Sequence, residues 1–214
     1  MKRRNFIATT FFSSLALLAT NKINANERFQ INDVIKPPRL KRGDKIGLIA
    51  PAGFITEEQM KKSITSLEGL GFNVIPSKNI LNKFGYLAGT DKERADDLNE
   101  MFANKNIAGI VCARGGWGAA RILSLLDYKL IKNNPKVLVG YSDITSLLYA
   151  IFRNTGLITF HGPVGISTFN EFSINNFNDV LVNPSNELTL WNADEENSSE
   201  DYERFVVRSG ICNG

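Results

Sequence analysis

Three times between residues 45 and 145 a short apolar run ends at a glycine-bearing turn and passes into helical periodicity. The runs are Lys45–Ala50 before Pro51-Ala52-Gly53, Gly109–Ala113 before Arg114-Gly115-Gly116-Trp117-Gly118, and Val137–Val139 before Gly140. Runs this short read as strands, and their nearly unbroken apolarity marks strands covered on both faces. Strand then helix, repeated, has few folded solutions. It implies an α/β fold: a parallel sheet with right-handed crossovers and helices on both faces. With 214 residues and 43% hydrophobic content, the chain can bury one sizeable core.

Local signals place the helices. Thr56, followed by Glu57 and Glu58 and by Gln59 at the third helical position, makes a capping box. Met60, Ile64 and Leu67 then form one apolar face, and Gly69 and Gly71 end the helix. Phe72–Ile75 reads as the second strand. Thr90 caps a helix carrying Asp91, Glu93, Ala95, Leu98, Met101 and Phe102. Another starts at Gly118 with Ala120, Leu123 and Leu126 in phase, and the next carries Ile144, Leu147, Leu148 and Ile151. Leu157–Phe160 reads as a further strand and 173–181 as a short helix. Beyond it, 188–191 and 205–207 are candidate strands around the acidic run 194–201, which is a solvated loop or a binder of cations.

The junction Val137-Leu138-Val139-Gly140-Tyr141-Ser142-Asp143-Ile144-Thr145 carries the sharpest chemical signal. Gly140 permits a strained strand-to-helix turn, and the turn presents Ser142. A hydroxyl there lies at a helix N-terminus, where N–H groups and the helix dipole favour an oxyanion. Because the second glycine of G-x-S-x-G is missing, Ser142 is either a displayed nucleophile or an ordinary helix N-cap. The glycine turn 114–118 leaves its strand at the same sheet edge, so its N–H groups can complete an oxyanion hole facing Ser142. A phosphate cradle competes for that turn, yet neither G-x-G-x-x-G nor G-x-x-x-x-G-K-[ST] is present. His161, the only histidine, closes strand 157–160 at the same edge and is a general base or a loop brace. Trp117 either lines a cleft or caps packing.

The ordered series Ile49-Ala50-Pro51-Ala52-Gly53, Tyr86–Leu98, Ala113–Gly118, Gly140–Thr145 and Phe160-His161-Gly162-Pro163 resembles the LD-carboxypeptidase family. These are serine peptidases that include murein tetrapeptide carboxypeptidases and microcin immunity peptidases. The resemblance covers roughly residues 40 to 170. It implies a flavodoxin-like or glutamine-amidotransferase-like N-terminal domain and a Ser-His-Glu triad with Ser142 as nucleophile. It also implies an oxyanion hole from the N–H groups of Gly116 and Asp143; Trp117, His161 and Arg114 are candidates for lining the substrate. The family takes its His and Glu from a second, C-terminal domain, and His161 matches the Phe-His-Gly-Pro motif instead of the base. The implied substrate is a small, murein-tetrapeptide-like peptide; no cofactor is expected, and a homodimer of the full-length form stays open.

Val207–Gly214 resembles the entry into that second domain. The expected plan is therefore an export signal at 1–25, a linker at 26–43 and a nucleophile-bearing α/β domain at 44–170. An acidic connector leading into a truncated second domain then occupies 171–214. Two functions remain: a serine carboxypeptidase of the LD type whose His and Glu lie outside this chain, and a catalytically inactive exported peptide-binding module or truncated pseudoenzyme.

Lys2-Arg3-Arg4, a moderately apolar stretch through Ala19, and Ile23-Asn24-Ala25 read as that export signal, of the twin-arginine type or an ordinary Sec signal. The stretch is too short for a stable membrane span, so the product is expected in the periplasm or secreted. The first 25 residues hold four cations and no acid; removing them from the net charge of +3 leaves about −1, which does not call for nucleic acid. Cys112, inside a strand, and Cys212, near the chain end, read as separate thiols, and no Cys or His spacing supports a metal.

Overall fold

In the computed structural model, which describes residues 34–184, all five strands run the same way. They are β1 (Lys45–Ile49), β2 (Asn73–Pro76), β3 (Gly109–Cys112), β4 (Val137–Gly140) and β5 (Phe160–His161), in the order β2-β1-β3-β4-β5. The helices between and after them are α1 (Glu57–Gly69), α2 (Asp91–Ala103), α3 (Tyr128–Asn133), α4 (Thr145–Thr155) and α5 (Glu171–Leu181). The capping box predicted at Thr56 starts α1, and the cap predicted at Thr90 starts α2, where Glu93 completes a second box.

Successive strand side chains point to opposite faces, so the unbroken apolar runs feed two cores. On one face Ile49, Ile110, Cys112 and Leu138 meet Leu98, Phe102, Ile131, Leu147 and Ile151 of the helices. On the other, Ile46, Leu48, Val111, Val137 and Val139 meet Leu67, Phe177 and Leu181. Each fully buried Leu or Ile contributes about 1.5–3 kcal/mol relative to exposure, so both coverings are needed. Helix α2 approaches β1 where there is no side chain: a Cβ on Gly47 would lie 2.6 Å from Met101 Sδ.

Several elements differ from the sequence reading. Ala119–Leu125 is a 3₁₀-helix, and its buried residues are Ala119 and Ile122 while Ala120 is exposed. The expected stripe holds at Leu126, which is buried, and at Leu123, which packs against the core, and fails at Ala120, because a 3₁₀ turn repeats every third residue and turns Ala119 and Ile122 inward. Asp127 then restarts the chain as α3, its carboxylate accepting from Leu130 N at 2.8 Å. Strand β2 begins one residue after Phe72, which packs in the core ahead of it. The strand expected at 157–160 shrinks to β5, and Leu157 instead makes an isolated bridge with Ile35.

Residues 34–43, expected as linker, are tied to the sheet layer. Ile35 N donates to Gly156 O at 2.8 Å, Ile158 N donates to Ile35 O at 2.9 Å, and the N–H of buried Leu40 donates to Leu181 O at 2.9 Å. Helix α5 starts two residues early, where Asn170 caps Ser173 N at 2.9 Å, and it covers one sheet face through Phe177 and Leu181. The packed unit therefore continues past residue 170. The export signal, the acidic run, the strands at 188–191 and 205–207, Cys212 and 207–214 lie outside the described residues. Among the described residues no helix is long and apolar enough to cross a membrane.

Candidate active site

Strand order reverses between β1 and β3, and the turns after β1, β3 and β4 converge outside the carboxyl ends of those strands, where α/β sheets form their crevice. Ser142 stands there with φ 63°, the only non-glycine residue at positive φ among the described residues. The N-cap of the following 3₁₀ turn (Ser142–Ile144) is Tyr141, in extended conformation, and no side chain caps that turn. This corrects the N-cap reading of Ser142, whose hydroxyl caps nothing. A side-chain-bearing residue in a left-handed conformation costs about 1–3 kcal/mol, so the surroundings must hold it. Gly140 is part of that hold: a Cβ there would lie 2.6 Å from Ile144 Cγ2 and 3.3 Å from Cys112 Cβ.

The glycine turn meets the serine directly. A Cβ on Gly115 would stand 3.1 Å from Ser142 Cβ and 3.3 Å from its Oγ. Gly116, at φ 125°, would place a Cβ 3.1 Å from Gly53 N, and Gly53 N donates to Gly115 O at 3.1 Å. Asp143 ties the serine turn to the far end of the glycine turn, its Oδ2 accepting from Ala119 N at 2.8 Å. Its own N–H comes second in the 3₁₀ turn, where no intrahelical acceptor exists. Among the described residues neither that N–H nor the Gly116 N–H has a protein acceptor.

Sequence reasoning missed the group that braces these turns from beneath. Arg94 on α2 is fully buried, and its Nη1 donates to Pro51 O at 2.6 Å and to Gly118 O at 3.0 Å. Its Nη2 pairs with Asp91, which also accepts from Arg121 Nη2 at 2.8 Å. The Arg121 hydrogen bonds, with Arg94 adding to them, hold the Asp91 carboxyl below the usual carboxylate range. Burial pulls the Arg94 guanidinium down, and Asp91 opposes that pull. Asp97, one turn on, accepts from Ser77 Oγ at 2.6 Å and from Asn79 Nδ2 at 2.8 Å, anchoring the start of the loop that carries Tyr86. The available signal was phase: Arg94 and Asp97 share the helical stripe of Leu98 and Met101, where a charge has no solvent to face.

The remaining expected residues surround this centre. His161 pairs in register with Gly140, and its ring lies 6.2 Å from that of Tyr141 in an edge contact. Among the described residues it shares no hydrogen bond with Ser142. Trp117 is 60% exposed and touches Tyr86 edge-on at 5.6 Å between ring centroids, so it is no buried packing cap. Arg114 Nη1 donates to Phe54 O at 3.1 Å. Cys112 is fully buried, and burial pushes its thiol up, which makes it inert. No group of three His, Cys, Asp or Glu side chains among the described residues is placed to hold a metal ion. The arrangement offers a displayed hydroxyl against the glycine turn, with two backbone N–H groups free in the adjoining turns and no base bonded to the hydroxyl among the described residues.

The model of the LD-carboxypeptidase N-terminal domain matches residues 46–162, more than half of the chain. This chain belongs to the LD-carboxypeptidase family. Members of the family are carboxypeptidase-type peptidases. The probable murein peptide carboxypeptidase of Bacillus subtilis is 46% identical over 129 residues, 60% of this chain and 40% of that protein. The microcin C7 self-immunity protein MccF of Escherichia coli is 39% identical over 132 residues, 60% of this chain and 38% of its own length. MccF has been solved as an active-site mutant with a serine, an asparagine and a lysine replaced by alanine; that structure superimposes with TM-score 0.65 at 32% identity, over 69% of this chain and 47% of the other. The crystal structure of an MccF-like protein from Bacillus anthracis gives TM-score 0.66 at 33% identity, again over 69% and 47%. The chain thus spans about two fifths of the length of these two curated relatives.

Proposed function

We propose that this chain is the nucleophile-bearing half of an exported, serine-type LD-carboxypeptidase that acts on cell-wall (murein) peptides. The observation that carries the reading is the backbone of Ser142, held at positive φ at the end of β4 with its side chain against Gly115. Ser142 Oγ attacks the scissile carbonyl carbon, and the N–H groups of Gly116 and Asp143 stabilise the charge that develops on its oxygen. The His that the family carries in its second domain takes the hydroxyl proton and passes it to the leaving amine, while the Glu beside it stays ionised, orients the imidazole and stabilises the imidazolium. The C–N bond breaks, and water then hydrolyses the acyl-serine ester. Trp117, His161 and Arg114 line the substrate. The stronger identity to a murein peptide carboxypeptidase supports a murein substrate, and an active-site serine in MccF supports the serine chemistry. The basic and apolar N-terminal stretch supports export to where that substrate lies.

On this reading the 214-residue chain alone shows no peptidase activity, because a serine hydroxyl without a positioned base is a poor nucleophile and the oxyanion hole supplies only a small part of the rate. In a protein carrying both domains, Ser142→Ala is expected to cut hydrolysis of an LD-linked tetrapeptide by orders of magnitude while tetrapeptide binding persists. Turnover near the wild-type rate rules Ser142 out as nucleophile. Hydrolysis by the 214-residue chain alone, lost on His161→Ala, makes His161 the base. A two-domain protein that binds the tetrapeptide and never cleaves it is the non-catalytic binding module.

A further inference from the structure

We infer that Arg114 receives the terminal carboxylate of the substrate and so restricts cleavage to the end of a peptide; this rests on the reading of the Ser142 crevice as a carboxypeptidase site. Arg114 opens the glycine turn, and the next residue, Gly115, abuts Ser142. Its side chain folds back over the turn after β1. Nη1 donates to Phe54 O at 3.1 Å, and Nε lies 3.4 Å from where a Cβ on Gly53 would stand. Gly53 in turn bonds Gly115 O. The guanidinium is therefore half-buried at the lip of the crevice between β1 and β3.

Among the described residues its charge has no acidic partner. A guanidinium offers five N–H donors, and among the described residues one of them has an acceptor. The ion pairs among those residues are Lys61–Glu57, Lys92–Asp96, Arg94–Asp91 and Arg121–Asp91, and none includes Arg114. The acids on the elements around the crevice have partners of their own: Asp91 has Arg94 and Arg121, Glu93 has Thr90 and Asn82, and Asp143 has the Ala119 N–H. A second cation flanks the same residue, with Lys83 Nζ 4.1 Å from the centre of the Phe54 ring. Two cations thus stand at the lip, and among the described residues no acid pairs with Arg114, which leaves the free face of its guanidinium open to an anionic ligand. What distinguishes a carboxypeptidase substrate from an internal peptide is a free carboxylate beside the scissile bond, and a guanidinium fork takes a carboxylate through two parallel hydrogen bonds. Phosphate also fits such a fork, but the adjoining glycine turn lacks both phosphate-cradle spacings.

The test is a binding titration of the full 214-residue chain by calorimetry or NMR, with an LD-linked tetrapeptide ending in a free carboxylate and with its C-terminal amide. Wild type is expected to prefer the carboxylate by about tenfold or more in Kd, the scale of a hydrogen-bonded charge. Arg114→Gln binds both peptides as wild type binds the amide, which also shows that the crevice is folded. Arg114→Lys recovers only part of the preference, because an ammonium cannot fork. Equal binding of the two peptides by wild type, or a preference that survives Arg114→Gln, overturns the assignment and leaves the crevice reading intact. If Arg114→Gln loses both peptides, a preference in Arg114→Lys equal to that of wild type overturns it. Failure of wild type to bind either peptide overturns the crevice reading and this inference with it.

Discussion

Replacing Ser142 by glycine and by alanine gives stability changes whose pattern depends on why the residue is there. At φ 63° a serine bears left-handed strain, and Ser142 Oγ has no hydrogen-bond partner among the described residues. Relief of the strain is worth about 1–3 kcal/mol, and the added freedom of glycine in the unfolded chain takes back about 0.5–1 kcal/mol. Ser142→Gly is therefore expected to stabilise the fold by about 1 kcal/mol. Ser142→Ala keeps the Cβ and the strain and loses no internal hydrogen bond, so it should stay within about 0.5 kcal/mol of wild type. A helix-capping serine gives another pattern, with alanine costing about 1 kcal/mol and glycine a few tenths. Urea unfolding of the 214-residue chain, followed by circular dichroism with the m-values compared, reads both numbers. A loss of about 1 kcal/mol in Ser142→Ala with no gain in Ser142→Gly refutes the strained-turn argument.

Arg94→Met leaves Pro51 O without its donor, while Gly118 O keeps only the Arg121 N–H at 3.1 Å; at about 1–3 kcal/mol for the orphaned buried carbonyl, a net loss of about 1–3 kcal/mol is expected. Arg121→Met, at the exposed end of the same network, should cost less than about 1 kcal/mol, and equal losses in the two variants contradict the brace. Gly140→Ala puts a methyl 2.6 Å from Ile144 Cγ2, an overpacking worth about 1–3 kcal/mol by urea unfolding. Combined with Ile144→Ala it should cost less than the sum of the two single variants, and strict additivity shows that the clash is absent.

The parts of the fold legible in the sequence are those whose cause is local. Thr56 with Gln59 and Thr90 with Glu93 each hold the donors and acceptors of a helix start within four residues, and both capping boxes form. The apolar strands are legible because burial on two faces leaves no polar alternation. Ala119–Leu125 misled the periodicity because a 3₁₀ repeat and an α repeat share their first contacts, and what selects between them is the uncapped Gly118 before the segment and Asp127 after it. Residues 34–43 looked like linker because Ile35 is held by main-chain bonds to Gly156 and Ile158, which leave no side-chain pattern.

The site divides along the same line. Gly140, Ser142 and Gly115 were readable because each is a backbone demand that only certain residues meet. The ties that keep the turn strained come from far away in the chain. The Asp143 carboxylate bonds Ala119 N, 24 positions distant, and Arg94 reaches Pro51 O across 43 positions. Arg114 reaches Phe54 O across 60. A strained residue persists only where its surroundings over-determine it, so the conformation of Ser142 belongs to this set of distant contacts as much as to its own segment. Helix α2 is central to the set because it lies under the crevice, where Gly47 lets it approach β1, and its polar side chains hold the turns above. Arg94 grips the turns after β1 and β3, and Asp97 anchors the loop leading to Tyr86. A charge in the apolar stripe of a helix looks like a flaw until the carbonyls it serves are known. Here it is what lets two loops keep glycines, and hence exposed N–H groups, without losing their shape.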